Sequence, residues 1–358
     1  MYQALYRKWR PMSFDDVVSQ PHITTTLKNQ IKSGKTAHAY LFTGSRGTGK
    51  TTCARIFAKA IDCLDPHDGE PCLECEICKD ADNGTLSDII EIDAASNSKV
   101  DDIRELREGV VYTPERCKYK VYIIDEVHML STGAFNALLK TMEEPPPHVK
   151  FILATTEIHK VPATIVSRCQ HFDFHRIRNE DIVSRLMYIA SQEGFTLHED
   201  AAGMIARLSD GGMRDALSLL DQCVAYENDI TLDVVSSASG IAGRDYLFDI
   251  LEKIAEKDAA GALRVVDKLY DMSKDLKVLA GELLAQMRNV MIIKTIDNNK
   301  DLITCLPDEY ERLKALAERM KLDEILGDIN TLQECSERFA KSTSKRIELE
   351  MCIIKLCG

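Results

Sequence analysis

The stretch Gly44-Ser45-Arg46-Gly47-Thr48-Gly49-Lys50-Thr51 matches the phosphate-loop pattern G-x-x-x-x-G-K-T completely. It follows the apolar run 39–42 and opens a helical pattern, which is the strand–loop–helix context that the motif requires. Its glycines would let backbone amides curl around phosphate oxygens, and the helix N-terminus adds a positive dipole end. The residues expected to hold nucleotide phosphates are Gly44, Ser45, Arg46, Gly47, Thr48, Gly49, Lys50, Thr51 and Thr52.

A pair of carboxylates completes the predicted site. The apolar run 121–124 ends in Asp125 and Glu126, at the strand end where open α/β sheets place their ligands. Lys50 would reach the β and γ phosphates, while Thr51 and Asp125 would hold Mg²⁺. Glu126 would then orient and deprotonate the attacking water, because its neighbour is committed to the metal.

Short apolar runs alternate with helical patterns in the first half of the chain. This alternation indicates βα units and a parallel sheet covered on both faces. We therefore predict an α/β nucleotide-binding domain at residues 1–178. The predicted strands are 39–42, 86–92, 121–124, 151–154 and 170–174.

The remaining sequence predicts two all-helical domains. A small lid domain is expected at 179–242, with a linker of small residues at 236–243, and a helical bundle at 243–358. The bundle carries two apolar stripes, Leu247, Ile250, Leu251 and Ile254, and Leu322, Ile325, Leu326 and Ile329. Such stripes usually form an internal core, and an exposed oligomerisation surface is the alternative.

Four cysteines at ligand spacing interrupt the nucleotide-binding domain at about residues 62–80. Cys63, Cys72, Cys75 and Cys78 can place four thiolates around one tetrahedral Zn²⁺, which suits a closed structural site. Free reduced thiols are the alternative interpretation. The other eight of the twelve cysteines are scattered singly, as buried small hydrophobes are in a reducing compartment.

Composition limits the classes of function. The 358 residues carry a net charge of −12, which argues against a broad basic face that coats nucleic acid. The compact basic and aromatic patch 7–11 is either an arm packed on a neighbouring domain or a part of the nucleotide site. There is no early apolar segment and no apolar run of membrane-spanning length, so we expect a cytoplasmic protein with no membrane association.

Taken together, these motifs resemble those of the gamma/tau family of bacterial DNA polymerase III clamp-loader subunits, which are AAA+ ATPases. The resemblance covers essentially the whole chain. Besides the phosphate loop and the four cysteines, it rests on Tyr6-Arg7-Lys8-Trp9-Arg10-Pro11, Phe14-Asp15-Asp16-Val17-Val18, Asp125-Glu126-Val127-His128-Met129-Leu130, Glu143-Glu144-Pro145-Pro146-Pro147, Ser167-Arg168-Cys169 and Gly212-Met213-Arg214-Asp215-Ala216.

The resemblance implies roles that spacing alone does not show. Arg10, Pro11, Val17 and Val18 would line the adenine pocket. Thr155 would act as a first sensor, and Arg168 would be an arginine finger acting across a subunit boundary. Arg214 would be a second sensor that links the lid to the γ-phosphate. Taken alone, a strand-end threonine or an isolated arginine is more often structural or on the surface.

The resemblance also implies an assembly. The helical bundle would be a collar that holds five subunits in a ring: delta, delta prime and further gamma/tau copies. Its apolar stripes would then be an oligomerisation surface rather than an internal core. With ATP, Mg²⁺ and Zn²⁺ as cofactors, the ring would open a sliding clamp and load it onto primer-template DNA. Longer forms of the family would also bind the polymerase and the helicase, and this chain shows no polymerase active site.

Two other classes of function are the alternatives. A non-hydrolysing ring scaffold subunit is disfavoured by the intact Lys50, Asp125 and Glu126. Another AAA+ DNA-remodelling ATPase, such as a branch-migration motor, is disfavoured by the cysteine insertion and the Ser-Arg-Cys string. Candidate contacts to DNA phosphates inside the ring are Ser98, Lys99, Ser131 and Thr132.

Overall fold

The computed structural model describes residues 3–96, 106, 108–240, 245–297, 299, 302–303, 305, 307–339 and 342–358. The chain divides into two compact units, Met1–Val235 and Ser236–Gly358. Among the described residues, every helix is too short or too polar to cross a lipid bilayer.

The first unit is built on a parallel five-stranded sheet, as the sequence predicts. Its strands lie in the order β2-β3-β4-β1-β5, so β4 separates β1 from β3. Because these strands are parallel, the carboxyl ends of β1 and β3 lie at the same edge of the sheet, with the end of β4 between them. The strands are β1 Ala39–Gly44, β2 Ile89–Asp93, β3 Lys120–Asp125, β4 Val149–Thr155 and β5 Gln170–Phe174. The two-residue strands Thr196–Leu197 and Asp229–Ile230 form a separate parallel pair.

Strand burial follows position in the sheet. All seven residues of the central strand β4 are buried, whereas the edge strand β5 alternates between exposed and buried side chains. Aromatic rings pack on one face, with the Tyr40 and Phe57 ring centroids 4.7 Å apart. Continuous apolar runs in the middle and alternation at the edge are what a sheet covered by helices on both faces requires.

Helices cover the sheet and continue into a small helical region. The helix of residues 132–143 ends before three consecutive prolines, which cannot continue a helix. The helices of the first unit are Leu5–Lys8, Pro21–Ser33, Lys50–Asp62, Glu76–Asn83, Thr132–Glu143, Ala163–Val166, Asn179–Glu193, Glu199–Leu208 and Met213–Tyr226. Single 3₁₀ turns lie at Val127–Met129 and Ile158–Lys160.

The predicted linker is shorter than expected. The helix Leu232–Ala238 includes its first three residues, because Val234 and Val235 are buried and anchor that helix. Residues 241–244 lie outside the described part of the chain. The domain boundaries after residues 178 and 242 remain predictions.

The second unit is a bundle of helices around its own core. Leu247, Ile250, Leu251 and Ile254 are at most 1% exposed, so this stripe is internal core and not the oligomerisation surface that the resemblance implies. In the second stripe Ile325 is buried, but Leu322 and Leu326 are 37% and 42% exposed, because that helix turns Ile325, Asp328, Leu332 and Cys335 inward. The helices are Asp245–Ala255, Ala259–Asp271, Leu276–Thr295, Pro307–Arg319, Leu322–Arg338 and Lys345–Leu356.

A buried carboxylate in this bundle predicts a pH-dependent stability. Burial raises the pKa of Asp328 from 3.8 to about 6, against the opposing charge of Lys257. The folded chain therefore holds this proton more tightly, and the stabilisation it gives below about pH 4 is lost as the pH rises through about 6. Asp328→Asn should remove this dependence. The difference in unfolding free energy between Asp328→Asn and the wild type should therefore shift by about 2 kcal/mol in favour of the variant from pH 4 to pH 8.

Urea unfolding of both proteins across this pH range measures the difference. Asp323→Asn is the control, because Asp323 is an exposed carboxylate on the same helix. Parallel pH profiles for Asp328→Asn and the wild type would contradict the prediction.

Candidate nucleotide site and cysteine cluster

The phosphate loop has the backbone shape that its glycines permit. Gly47 and Gly49 lie at φ values of +77° and +103°, where a side chain would be strained. Among the described side chains, none caps the N-terminus of the following helix, Lys50–Asp62. Its first residues instead line a cleft, together with the loop residues 46–49. The loop is therefore suited to bind an anion at a helix N-terminus.

Lys50 is among the residues that line this cleft. Its side chain is largely buried, and Nζ donates hydrogen bonds to the carbonyl oxygens of Gly44 and Ser45, each at 2.8 Å. Burial lowers the pKa of Lys50, while the charges of Glu126 and Asp125 oppose that shift. A buried ammonium held by neutral carbonyls is well placed to receive a phosphate oxygen.

The helix that follows the phosphate loop contacts the end of β3 through Thr51 and Asp125. Thr51 Oγ1 donates to Asp125 Oδ2 at 2.7 Å. Burial raises the pKa of Asp125, and the hydrogen bond from Thr51 partly offsets this. A hydroxyl and a carboxylate at hydrogen-bonding distance next to a phosphate cradle fit the oxygen ligands that Mg²⁺ prefers, so the donor set suits this ion.

Glu126 follows in a strained backbone conformation. Its φ of +47° is uncommon for a residue with a side chain and is often found at functional sites. Its Oε2 accepts a hydrogen bond from Thr156 Oγ1 at 3.0 Å. Both Asp125 and Glu126 line the cleft. The turn at Glu126 thus presents two consecutive carboxylates to one space.

His128 is a site residue to which sequence reasoning gave no role. Its side chain is only 8% exposed, and Nδ1 lies 3.0 Å from Thr155 Oγ1 and 3.4 Å from Glu126 Oε2. Thr155 itself is fully buried and is not among the residues that line the cleft. The predicted sensor threonine therefore reaches the candidate base through His128. The only sign of this role in the sequence was that His128 lies three residues after Asp125.

The N-terminal arm supplies one wall of the cleft. We call it the base-side wall, because the adenine base of a nucleotide would lie against it. Arg10, Pro11, Val17 and Val18 all line it, as the resemblance implies. The same arm packs on the helix Asn179–Glu193, where Trp9 Nε1 donates to Glu193 Oε1 at 2.7 Å. The patch thus packs on a neighbouring helix and also lines the cleft, and its part in nucleotide binding stays a prediction.

The lid region contacts the phosphate loop and also lines the cleft. The backbone N–H of Met213 donates to the Gly47 carbonyl at 3.0 Å. A Cβ on Gly47 would lie 2.9 Å from the Gly212 Cα, so this approach requires glycine in the loop. Arg214 lines the cleft, with its guanidinium 5.2 Å from the centre of the Tyr6 ring. The lid and the loop are thus in direct contact.

The charge of the cleft is opposite to that of the chain. Two carboxylates line it, against five cationic side chains, Arg10, Arg46, Lys50, Arg185 and Arg214. The chain as a whole carries a net charge of −12. A local excess of positive charge in an acidic protein is suited to a polyanionic ligand such as a nucleoside triphosphate.

Arg168 is outside the cleft of its own chain. Its guanidinium donates to Glu143 Oε1 at 2.9 Å and to the Thr164 carbonyl at 2.8 Å, and its side chain is 34% exposed. Of the proposed DNA contacts, Ser98 and Lys99 lie outside the described residues. The Ser131 hydroxyl caps a helix by accepting from the Ala134 N–H, which leaves Thr132 as an exposed hydroxyl nearby.

The four cysteines form one cluster. Their Sγ atoms all lie within 4.8 Å of one another, with 4.0 Å between Cys63 and Cys75 and 3.9 Å between Cys72 and Cys78. Tetrahedral zinc with Zn–S bonds of about 2.3 Å separates its sulfurs by about 3.8 Å. Backbone N–H groups also point at three of the sulfurs, as around metal-bound thiolates. The residues present fit a structural zinc ion.

Three family models match consecutive parts of the chain. The model described as DNA polymerase III, delta subunit, matches residues 19–178. The clamp loader subunit ATPase lid domain of DNA polymerase III matches 181–229, and domain III of the gamma and tau subunits matches 230–358.

Individual relatives agree with these matches. The chain is 44% identical to DNA polymerase III subunit tau of Bacillus subtilis, over 99% of the chain and 63% of that protein. It is 41% identical to subunit tau of Escherichia coli, over 82% of the chain and 46% of that protein. Subunit gamma of Buchnera aphidicola subsp. Schizaphis graminum is 39% identical, with 88% and 87% covered. The chain thus spans about half to two thirds of the tau proteins.

A solved structure shares the fold of the chain. A single-residue variant of Thermotoga maritima RuvB superposes with a TM-score of 0.50, over 69% of this chain and 80% of that one. The sequence identity is 20%, so this likeness concerns the fold alone.

The cysteine geometry predicts metal content. We expect the purified chain to contain about one zinc ion per molecule, and Cys75→Ser to lose most of it, because a closed four-sulfur site depends on every ligand. Metal analysis of the dialysed proteins is the measurement. Cys117→Ser, a cysteine outside the cluster, is the control. A wild-type chain without zinc, or a Cys75→Ser chain with full zinc content, would refute the site.

Proposed function

Because the chain belongs to the gamma/tau family of DNA polymerase III subunits, we propose that it is an ATPase motor subunit of a clamp loader. It would bind and hydrolyse ATP to open a sliding clamp and load it onto primer-template DNA. The fold class predicted from sequence, AAA+, is confirmed. The observation that carries the proposal is the cleft that brings Lys50, Thr51, Asp125 and Glu126 together with the lid.

Binding would use both walls of the cleft. The base would lie against Pro11, Val17 and Val18, and the triphosphate would occupy the loop. Lys50 would exchange its two carbonyl partners for β and γ phosphate oxygens. Thr51 and Asp125 would hold Mg²⁺, which when bound neutralises part of the phosphate charge. Arg214 on the lid would contact the γ-phosphate as the second sensor.

Hydrolysis would begin at Glu126. Its carboxylate would take a proton from water as the water oxygen attacks the γ-phosphorus, and the bond to the bridging oxygen would break to give ADP and phosphate. Thr156 and His128 would orient the carboxylate, since both lie within reach of Oε2. Thr155 would sense the γ-phosphate state through His128.

Turnover would also need a neighbouring subunit. Arg168 lies outside its own cleft and is partly exposed, which supports a role in the site of the adjacent protomer. The ring partners would be delta, delta prime and further gamma/tau copies, and the longer family forms would add polymerase and helicase. The zinc ion held by the four clustered cysteines would be structural. We place this activity in the cytoplasm, where bacterial chromosomes are replicated.

The two roles of the cleft can be separated by substitution. Glu126→Gln should keep nucleotide affinity within about twofold of wild type and lower ATP turnover by about 10²-fold or more, because it loses only the general base. Lys50→Ala should weaken ATP binding itself. Calorimetric titration of the chain with ATP measures binding, and phosphate release by a ring reconstituted with partner subunits, clamp and primed DNA measures turnover. A Glu126→Gln chain with normal turnover would refute the assigned base.

The neighbour's contribution has its own test. In a ring reconstituted with partner subunits, clamp and primed DNA, Arg168→Ala should lose about 10³-fold of stimulated turnover while ATP affinity stays unchanged. Arg116→Ala is the control, because Arg116 is an exposed arginine paired with Asp80 and Glu76. Normal stimulated hydrolysis by the Arg168→Ala ring would exclude the role in trans.

A further inference from the structure

A tight hairpin lies within the cysteine module, the segment of about residues 62–80 that carries the four clustered cysteines. It lies between Cys63 and Cys72. His67 and Glu70 exchange backbone hydrogen bonds of 3.1 and 2.9 Å. Asp68 and Gly69 both have positive φ, at 56° and 83°, as a type I′ turn requires. None of these four residues belongs to the sulfur cluster. The hairpin therefore has a defined shape that the cysteine ligands alone do not explain.

The hairpin packs against the helix Pro21–Ser33. A Cβ on Gly69 would lie 2.6 Å from the Lys28 carbonyl oxygen, so the two backbones are in close contact. Lys28 pairs with Glu70 at 3.0 Å and with Asp15 at 2.7 Å. Lys32 pairs with Asp68. Several independent contacts thus fix the hairpin to this helix.

Glu70 also reaches the segment 10–18, the base-side wall of the cleft. The backbone N–H of Phe14 donates to Glu70 Oε2 at 2.8 Å. The Phe14 side chain is 1% exposed and belongs to the sheet core. The cleft residues Arg10 and Pro11 precede this anchor, and Val17 and Val18 follow it. Glu70 therefore holds the midpoint of the segment whose two ends line the cleft.

We propose that Glu70 is a positioning residue for nucleotide binding, through which the cysteine module holds the base-side wall in its binding shape. The inference rests on the proposed function, because it assumes that ATP occupies the cleft. Loss of the Glu70 carboxylate leaves the Phe14 N–H without its acceptor and Lys28 with one carboxylate fewer. Segment 10–18 then samples other conformations, and nucleotide binding must restore the correct one.

The test uses the full chain and a fluorescent ATP analogue with Mg²⁺. Glu70→Ala should weaken affinity by about 5- to 10-fold, the size of a modest coupling between sites. Glu70→Gln should recover most of this, because an amide oxygen can still accept from Phe14. Hydrogen exchange of peptides spanning residues 10–18, measured without nucleotide, should be faster in Glu70→Ala. Zinc content should stay at the wild-type level in both variants.

Matched controls separate positioning from general damage. Glu74→Ala removes an exposed glutamate of the same module and should change neither measurement. Gly69→Ala should behave as Glu70→Ala does, since its Cβ forces the hairpin off Lys28. Gly34→Ala should not, although Gly34 also has positive φ, because its Cβ would meet open space. If Glu70→Ala fails to fold, the comparison of Gly69→Ala with Gly34→Ala tests whether the hairpin positions segment 10–18.

The outcomes that contradict the proposal are distinct from failure of the proposed function. Wild-type affinity in Glu70→Ala would overturn the proposal, even with faster exchange at 10–18. An affinity loss accompanied by loss of zinc would also overturn it, because the module itself would have failed. If the wild-type chain bound no nucleotide, the proposed function would fail. The exchange measurement would then decide by itself whether Glu70 holds the segment.

Discussion

The hydrogen bond between Thr51 and Asp125 marks the constraint on which the site depends, the meeting of two strand ends at one edge of a parallel sheet. Because β4 separates β1 from β3, the phosphate loop and the paired carboxylates approach from different strands and leave a space between them. The lid approaches the same space through the Met213–Gly47 hydrogen bond, and the N-terminal arm supplies the wall beside it.

The electrostatics of the cleft follow from this arrangement. Lys50 is buried among carbonyls, so its charge lacks the compensation that water would give, and a phosphate would supply it. Asp125 is also buried, which raises its pKa and makes a nearby cation favourable. The cleft thus holds a cation and an anion that each gain from the charges of a magnesium nucleotide. This local balance explains how a chain of net charge −12 can bind a polyanion.

Much of the fold and part of the site could be predicted from the sequence, since strands, phosphate loop and cysteine spacing are local patterns. Contacts that depend on tertiary packing could not. His128 reaches Thr155 only because the chain turns sharply at Glu126, and a single sequence does not show that turn. Glu70 had no signal because its partner, the Phe14 N–H, is a backbone group. Leu322 and Leu326 fit an apolar stripe, but packing chose an inward face centred on Ile325.

The central claim is that arm, loop and lid form one ATP site. The most direct measurement is hydrogen exchange of the wild-type chain with and without ATP and Mg²⁺, at a nucleotide concentration that calorimetry shows to be saturating. The account predicts one ATP per chain and simultaneous protection of peptides covering residues 10–18, 44–52 and 213–217. Saturable binding that left the arm or the lid unprotected, or no binding at all, would contradict it.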